Sequence, residues 1–167
     1  RHRPVCYNDH MTTGQTPTSN ATLNRLRAAV LGANDGIVST SSVVMGVAGA
    51  SSDSRAIFTA GMAALVAGAL SMALGEYVSV SSQRDAEKVN SNHSNAEPGE
   101  FTSPYQAAVA SFIAFTVGGL VPFISVIVAP SQIKVPVTVM AVVIALLITG
   151  FGSATVGGAS RLRAVVR

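Results

Sequence analysis

Hydrophobic and polar positions are segregated along this chain into long blocks rather than alternating within short ones. Residues 56 to 75, 101 to 133 and 135 to 160 contain no Asp, Glu, Lys or Arg. Each block exceeds or approaches the roughly 20 apolar residues that a helix needs to cross a bilayer core. A further apolar stretch, rich in Ala, Val, Gly and Ser, begins near Arg27, and within it Asn34 and Asp35 are the only strongly polar side chains. The pattern predicts an all-α, polytopic transmembrane helical bundle with four spans, at about 27–50, 56–80, 105–129 and 135–160. Together they make a membrane domain over 25–163.

The polar segments define the connections. Residues 1–24 lack an apolar run and read as a disordered N-terminus, with no signal peptide ahead of the first span. The first methionine is Met11, and residues 1–10 are expected to carry no function. Ser51, Ser52, Asp53 and Ser54 make a short turn. Between Ser81 and Ser103 the composition changes to Gln, Arg, Asp, Glu, Lys, Asn and His, with Pro98 and Gly99 as helix breakers, so 81–103 reads as a polar cytoplasmic loop. Pro122 is expected to kink the third span. Residues 164–167 read as a truncated C-terminus.

Composition agrees with a lipid environment. Only 11% of residues are charged while 49% are hydrophobic, and mean hydropathy is +0.45. The net charge of +3 is not a nucleic-acid signal, because the basic residues lie in small groups beside apolar segments rather than along one stripe. Arg25, Arg27, Arg84, Lys88, Arg161, Arg163 and Arg167 flank one side of the spans, against Arg55 and Lys134 on the other, which places the N-terminus in the cytoplasm. The Ala/Gly/Val-rich style leans toward a prokaryotic plasma membrane, the vacuolar membrane being the eukaryotic counterpart.

Three side chains carry chemistry. Asp35 lies inside the first span, where a carboxylate costs about 2.5–3.5 kcal/mol on insertion scales, so it is expected to face a bundle interior or water. Pairing with Arg25 or Arg27 near the interface is the bland alternative. Its setting is Gly32-Ala-Asn-Asp-Gly36, in which glycines four apart let another backbone come close. In the second span Met72 and Glu76 are four apart and share a helical face. Sulfur beside a carboxylate shifts preference from magnesium or calcium toward first-row transition metals. Gap-filling by Met72, and an interfacial role for Glu76 beside Tyr77, are equally consistent with the spacing. Gly61, Gly68 and Gly75 recur every seven residues and mark a close-packing stripe. The histidines, His2, His10 and His93, lie outside the spans, as do Asp9, Asp53 and Asp85, so neither a serine hydrolase nor an intramembrane aspartyl protease can be assembled. The single cysteine, Cys6, excludes an intrachain disulfide.

Two runs resemble a known family. Leu26-Arg-Ala-Ala-Val-Leu-Gly-Ala-Asn-Asp-Gly-Ile-Val-Ser-Thr40 resembles the first helix of the vacuolar iron transporter (VIT) family. Gly68-Ala-Leu-Ser-Met-Ala-Leu-Gly-Glu-Tyr-Val-Ser-Val-Ser-Ser-Gln83 resembles its second, and Pro104-Tyr-Gln-Ala-Ala-Val-Ala-Ser-Phe-Ile-Ala-Phe its third. The resemblance covers roughly 24–163. It implies a five-helix homodimer that moves ferrous iron, and often manganese, out of the cytosol in exchange for protons, with no enzymatic activity and no resident cofactor. It also implies an intramembrane metal path through Asp35 and Met72, with Glu76 nearer the cytoplasmic mouth and Asn34 assisting. Two departures accompany it. The 81–103 connection is too short for the glutamate-rich cytoplasmic domain of many members, leaving Glu87, His93, Glu97 and Glu100 as weak contacts, and the fifth helix is missing. A non-transporting membrane scaffold, or an inactive fragment of such a transporter, is the rival expectation.

Overall fold

The computed structural model describes residues 20–91 and 103–156. They form α1 (Asn20–Ala50), α2 (Ser54–Ser91), α3 (Pro104–Val128) and α4 (Lys134–Val156). All four are long and apolar enough to cross a membrane, and no strand is present among the described residues. The helical bundle read from the hydropathy blocks is therefore the observed architecture.

Helix α3 is the spine of the bundle. It packs against each of the other three, while α4 touches α1 and α3 but not α2. The α1–α3 seam is a backbone-to-backbone contact. A Cβ on Gly32 would lie 2.8 Å from the Ser111 carbonyl oxygen, one on Gly36 would lie 2.9 Å from the Phe115 carbonyl carbon, and one on Gly118 would lie 3.0 Å from the Ala33 carbonyl carbon. Glycines from both helices thus remove the side chains that would hold the axes apart. The two glycines flanking Asp35 serve the close approach their spacing predicts.

On α2 the seven-residue glycine stripe is used in part. Gly61 faces the Phe123 ring and Gly68 the Phe115 ring, whereas nothing lies within 4 Å of a Cβ on Gly75. Phe123 also joins Val44, Ile57, Leu65 and Val126 in the buried core at the α1–α2 turn end of the bundle. The outward faces carry large apolar side chains such as Leu70, Val117, Ile124 and Ile148, all exposed and suited to lipid.

Two boundaries differ from the hydropathy reading. Helix α1 begins at Asn20, inside the segment expected to be disordered, and α2 continues through Ser91, inside the expected loop. Leaving the membrane does not end a helix. Gln83, Arg84, Glu87 and Lys88 are good helix formers, and Lys88 Nζ stands 3.7 Å from Asp85 Oδ1 one turn back. With 38 residues, α2 is about 57 Å long at 1.5 Å per residue, well beyond a ~30 Å hydrocarbon core. Pro98, Gly99, the N-terminal 1–19 and residues 157–167 lie outside the described residues.

Helix α3 starts with Pro104 in its first turn, where the missing N–H costs nothing, and it runs through the buried Pro122 to Val128. Several hydroxyls within the apolar spans are satisfied on their own helix. Thr116, Ser125 and Thr138 donate to the carbonyls of Phe112, Val121 and Lys134 at 2.8, 2.7 and 2.8 Å.

Candidate metal-binding groove

Away from the core cluster, toward the other end of the bundle, α1 and α2 line an open groove floored by α3. Its cavity is about 380 Å³. At ~30 Å³ per molecule that holds on the order of ten waters, enough for a partly hydrated ion. Asp35, Ser39 and Val43 line it from α1, Gly68, Ser71, Met72 and Glu76 from α2, and Phe115 closes the floor. Three of the four residues singled out from sequence thus converge on one space. Met72 and Glu76 do share one helical face.

Each acid is held differently. Asp35 is solvent-exposed in this single chain although it sits within an apolar span, and Ser39, one turn on, donates its hydroxyl to Asp35 Oδ1 at 2.5 Å. That bond fixes the carboxylate and leaves oxygen lone pairs facing the groove. Glu76 lies nearer the mouth, where Arg27 Nη2 stands 3.4 Å from its Oε1. The Glu76 side chain is only 10% exposed against 54% for Arg27, so the guanidinium caps the carboxylate from the solvent side. Arg27, one of the two arginines that sequence reasoning offered as a partner for Asp35, is therefore engaged with Glu76.

Asn34 is turned elsewhere. Its Oδ1 accepts a hydrogen bond from Thr149 Oγ1 of α4 at 2.8 Å, and it does not line the groove. Adjacent residues on a helix point about 100° apart, so an Asn next to an Asp need not share its site. Glu87, His93, Glu97 and Glu100, the weak candidates in the 81–103 connection, have side chains outside the described residues. Ser39 was missed as a member of the site, although its i+4 spacing from Asp35 is visible in the sequence. Phe115, as the groove floor, leaves no such signal.

The donor set is incomplete in one chain. Among the described residues no group of three or more His, Cys, Asp or Glu side chains stands together. Two carboxylates and a thioether offer hard oxygen and softer sulfur, the mixture suited to a first-row divalent ion, but fewer ligands than such an ion takes up.

Comparison with known proteins reaches the same region of the molecule. A family model described as the VIT family matches residues 26–100 and 91–167. "Vacuolar iron transporter homolog 4" of Arabidopsis thaliana is 43% identical over 146 residues, covering 85% of this chain and 74% of that protein. "Vacuolar iron transporter homolog 5" of Oryza sativa subsp. japonica is 43% identical over 152 residues, covering 88% and 73%. "VIT-like transporter 1b" of Glycine max is 40% identical over 154 residues, covering 85% and 67%.

Proposed function

The chain belongs to the VIT family, and from that premise we propose that it is an integral membrane carrier of divalent iron, with manganese as an alternative cargo, exporting the ion from the cytosol in exchange for protons. The observation that carries the reading is the convergence of Asp35, Met72 and Glu76 on one groove open to the side of the bundle. The relatives' printed names concern iron and the vacuole, which supports iron as cargo and the vacuolar membrane as the site in a eukaryotic cell. Those reported above are plant proteins, and they lend nothing to the prokaryotic lean of the composition.

The mechanism follows from what each group does. In this reading the end of the bundle that carries Arg25, Arg27, Arg84 and Lys88 faces the cytosol, N-terminus included, an orientation that the excess of basic residues on that side supports. A divalent ion entering there meets Glu76 first, and its charge competes with the Arg27 guanidinium for the carboxylate. Deeper in, Asp35 supplies a carboxylate held by Ser39, and Met72 supplies the sulfur that favours iron or manganese over magnesium. Carboxylates bind metal only when deprotonated, so ion and proton compete for the same oxygens, and alternating exposure of the groove converts that competition into antiport.

A homodimer completes the site in this proposal. An aspartate exposed on the side of an apolar helix is costly against lipid. A second copy across the open face of the groove removes that cost and doubles the ligands. No catalytic role is part of the proposal.

The test is uptake of ferrous iron and manganese into proteoliposomes under an imposed pH gradient. Asp35→Ala and Asp35→Asn are both expected to abolish gradient-driven uptake. Normal uptake by a folded Asp35→Ala protein sinks the mechanism, and no uptake by the unaltered chain favours a scaffold.

A further inference from the structure

At the opposite end of the bundle a second cavity, of about 420 Å³, opens between the start of α2, the end of α3 and the start of α4. Arg55 and Lys134 both line it. They are the only two Lys or Arg residues among the described residues at that end, and they come from the first turns of different helices, α2 and α4. The fold has brought both cations to one opening. Neither side chain has an acidic partner among the described residues. The nearby carboxylate of Asp53 is engaged instead in capping α2, its Oδ1 accepting the Arg55 backbone N–H at 2.9 Å. Below the cationic rim the wall is apolar, made of Ile57, Phe58, Val126 and Ile127, with Phe58 and Ile127 exposed.

We propose that this cavity binds an anionic phospholipid of the non-cytosolic leaflet, its phosphate between Arg55 and Lys134 and its acyl chain along Phe58 and Ile127. The vertical order of the groups carries the argument. Residue 58 lies about 4–5 Å deeper than residue 55 at 1.5 Å per residue, so the change from charge to hydrocarbon occurs over the span of a glycerol backbone. Ser54 and Thr59 add hydroxyls to the lining for the remaining headgroup oxygens. A free inorganic anion would satisfy the rim and leave the apolar wall unfilled, whereas a zwitterionic lipid such as phosphatidylcholine brings its phosphate together with a headgroup cation that Arg55 and Lys134 repel. The paired cations also repel a divalent metal ion, which separates this cavity from the metal groove. The inference rests on the chain being embedded in a membrane, and its choice of leaflet on the orientation proposed above, but not on its transporting anything.

The experiment is native mass spectrometry of the purified full chain in a neutral detergent, titrated with phosphatidylglycerol, phosphatidylcholine or inorganic phosphate. Phosphatidylglycerol is expected to bind and to weaken as salt is raised, with the other two leaving the spectrum unchanged. At about 1 kcal/mol per cation and 1.4 kcal/mol per factor of ten, Arg55→Gln with Lys134→Gln lowers phosphatidylglycerol affinity roughly 30-fold. Arg25→Gln at the other end leaves it unchanged. The exchange pair Arg55→Lys with Lys134→Arg keeps the charge and retains binding, which holds the proposal to account if the neutral pair does not fold. Equal binding of phosphatidylcholine, binding of phosphate alone, or loss of lipid in the exchange pair overturns it.

Discussion

Replacing Gly36 by alanine tests the α1–α3 seam directly. The new methyl would sit 2.9 Å from the Phe115 carbonyl carbon and 3.0 Å from the Gly119 nitrogen, with the Phe115 oxygen nearer still. Ordinary contact begins near 3.4 Å, so α3 must retreat by at least half an ångström at the carbon and further at the oxygen. Backbone cannot rotate aside as a side chain can. Overpacking of this kind costs ~1–3 kcal/mol. The control is Gly46→Ala on the same helix, where nothing lies within 4 Å of the added atom. There only propensity acts, and alanine gains up to ~1 kcal/mol. Propensity acts at both positions and cancels in the comparison, so the two variants are expected to differ by ~1–3 kcal/mol. Unfolding in mixed micelles, titrated with a denaturing detergent and followed by helical circular dichroism, measures both. Gly61→Ala falls between them, because the Phe123 ring it meets is a side chain able to move. If Gly36→Ala unfolds with the same midpoint as Gly46→Ala, the seam is not the close contact described.

Arg27→Gln removes the cation 3.4 Å from the largely buried Glu76 carboxylate, and two readouts should move in opposite directions. Stability falls by ~0.2–1 kcal/mol as a pair with one exposed partner is lost, while manganese affinity measured calorimetrically rises because a competitor has left. A fall in both would show that Arg27 does not compete with the ion. Thr149→Val keeps the shape of the side chain and deletes the donor to Asn34. It should cost ~0.6–1 kcal/mol in the same unfolding assay, and a zero effect in an Asn34→Leu background would establish that the lost energy belongs to that one bond.

The spans were legible because lipid imposes a strong filter: twenty residues without a charge cannot hide. Asp35 was legible for the complementary reason, as a cost that needs an explanation. Helix ends were not. Hydropathy reports where the bilayer stops, and α2 carries its helix through Gln83, Arg84 and Lys88 into water because backbone hydrogen bonding is indifferent to that boundary. The Arg27–Glu76 pair was equally hidden, since it joins residues 49 positions apart and depends on how far two helices diverge. The partner of Asn34 on α4 was hidden as well, since rotation about the helix axis, and not adjacency, decides which neighbour each residue meets.

That rotation makes the short segment Gly32 to Gly36 a junction of the whole bundle. Gly32 and Gly36 rest on the α3 backbone at Ser111 and Phe115, and Ala33 receives Gly118 of the same helix. Asn34 accepts from Thr149 of α4. Asp35 alone turns to the groove it shares with α2. Five consecutive residues therefore meet α3, α4 and the groove, and the one without a packing duty is the acid. Because the seam is backbone against backbone, it transmits displacement with little slack, and a shift of α3 carries Asp35 with it. It also explains why glycines surround the acid: larger residues at 32 and 36 would hold α3 away and leave Asp35 on a helix that its neighbours no longer position.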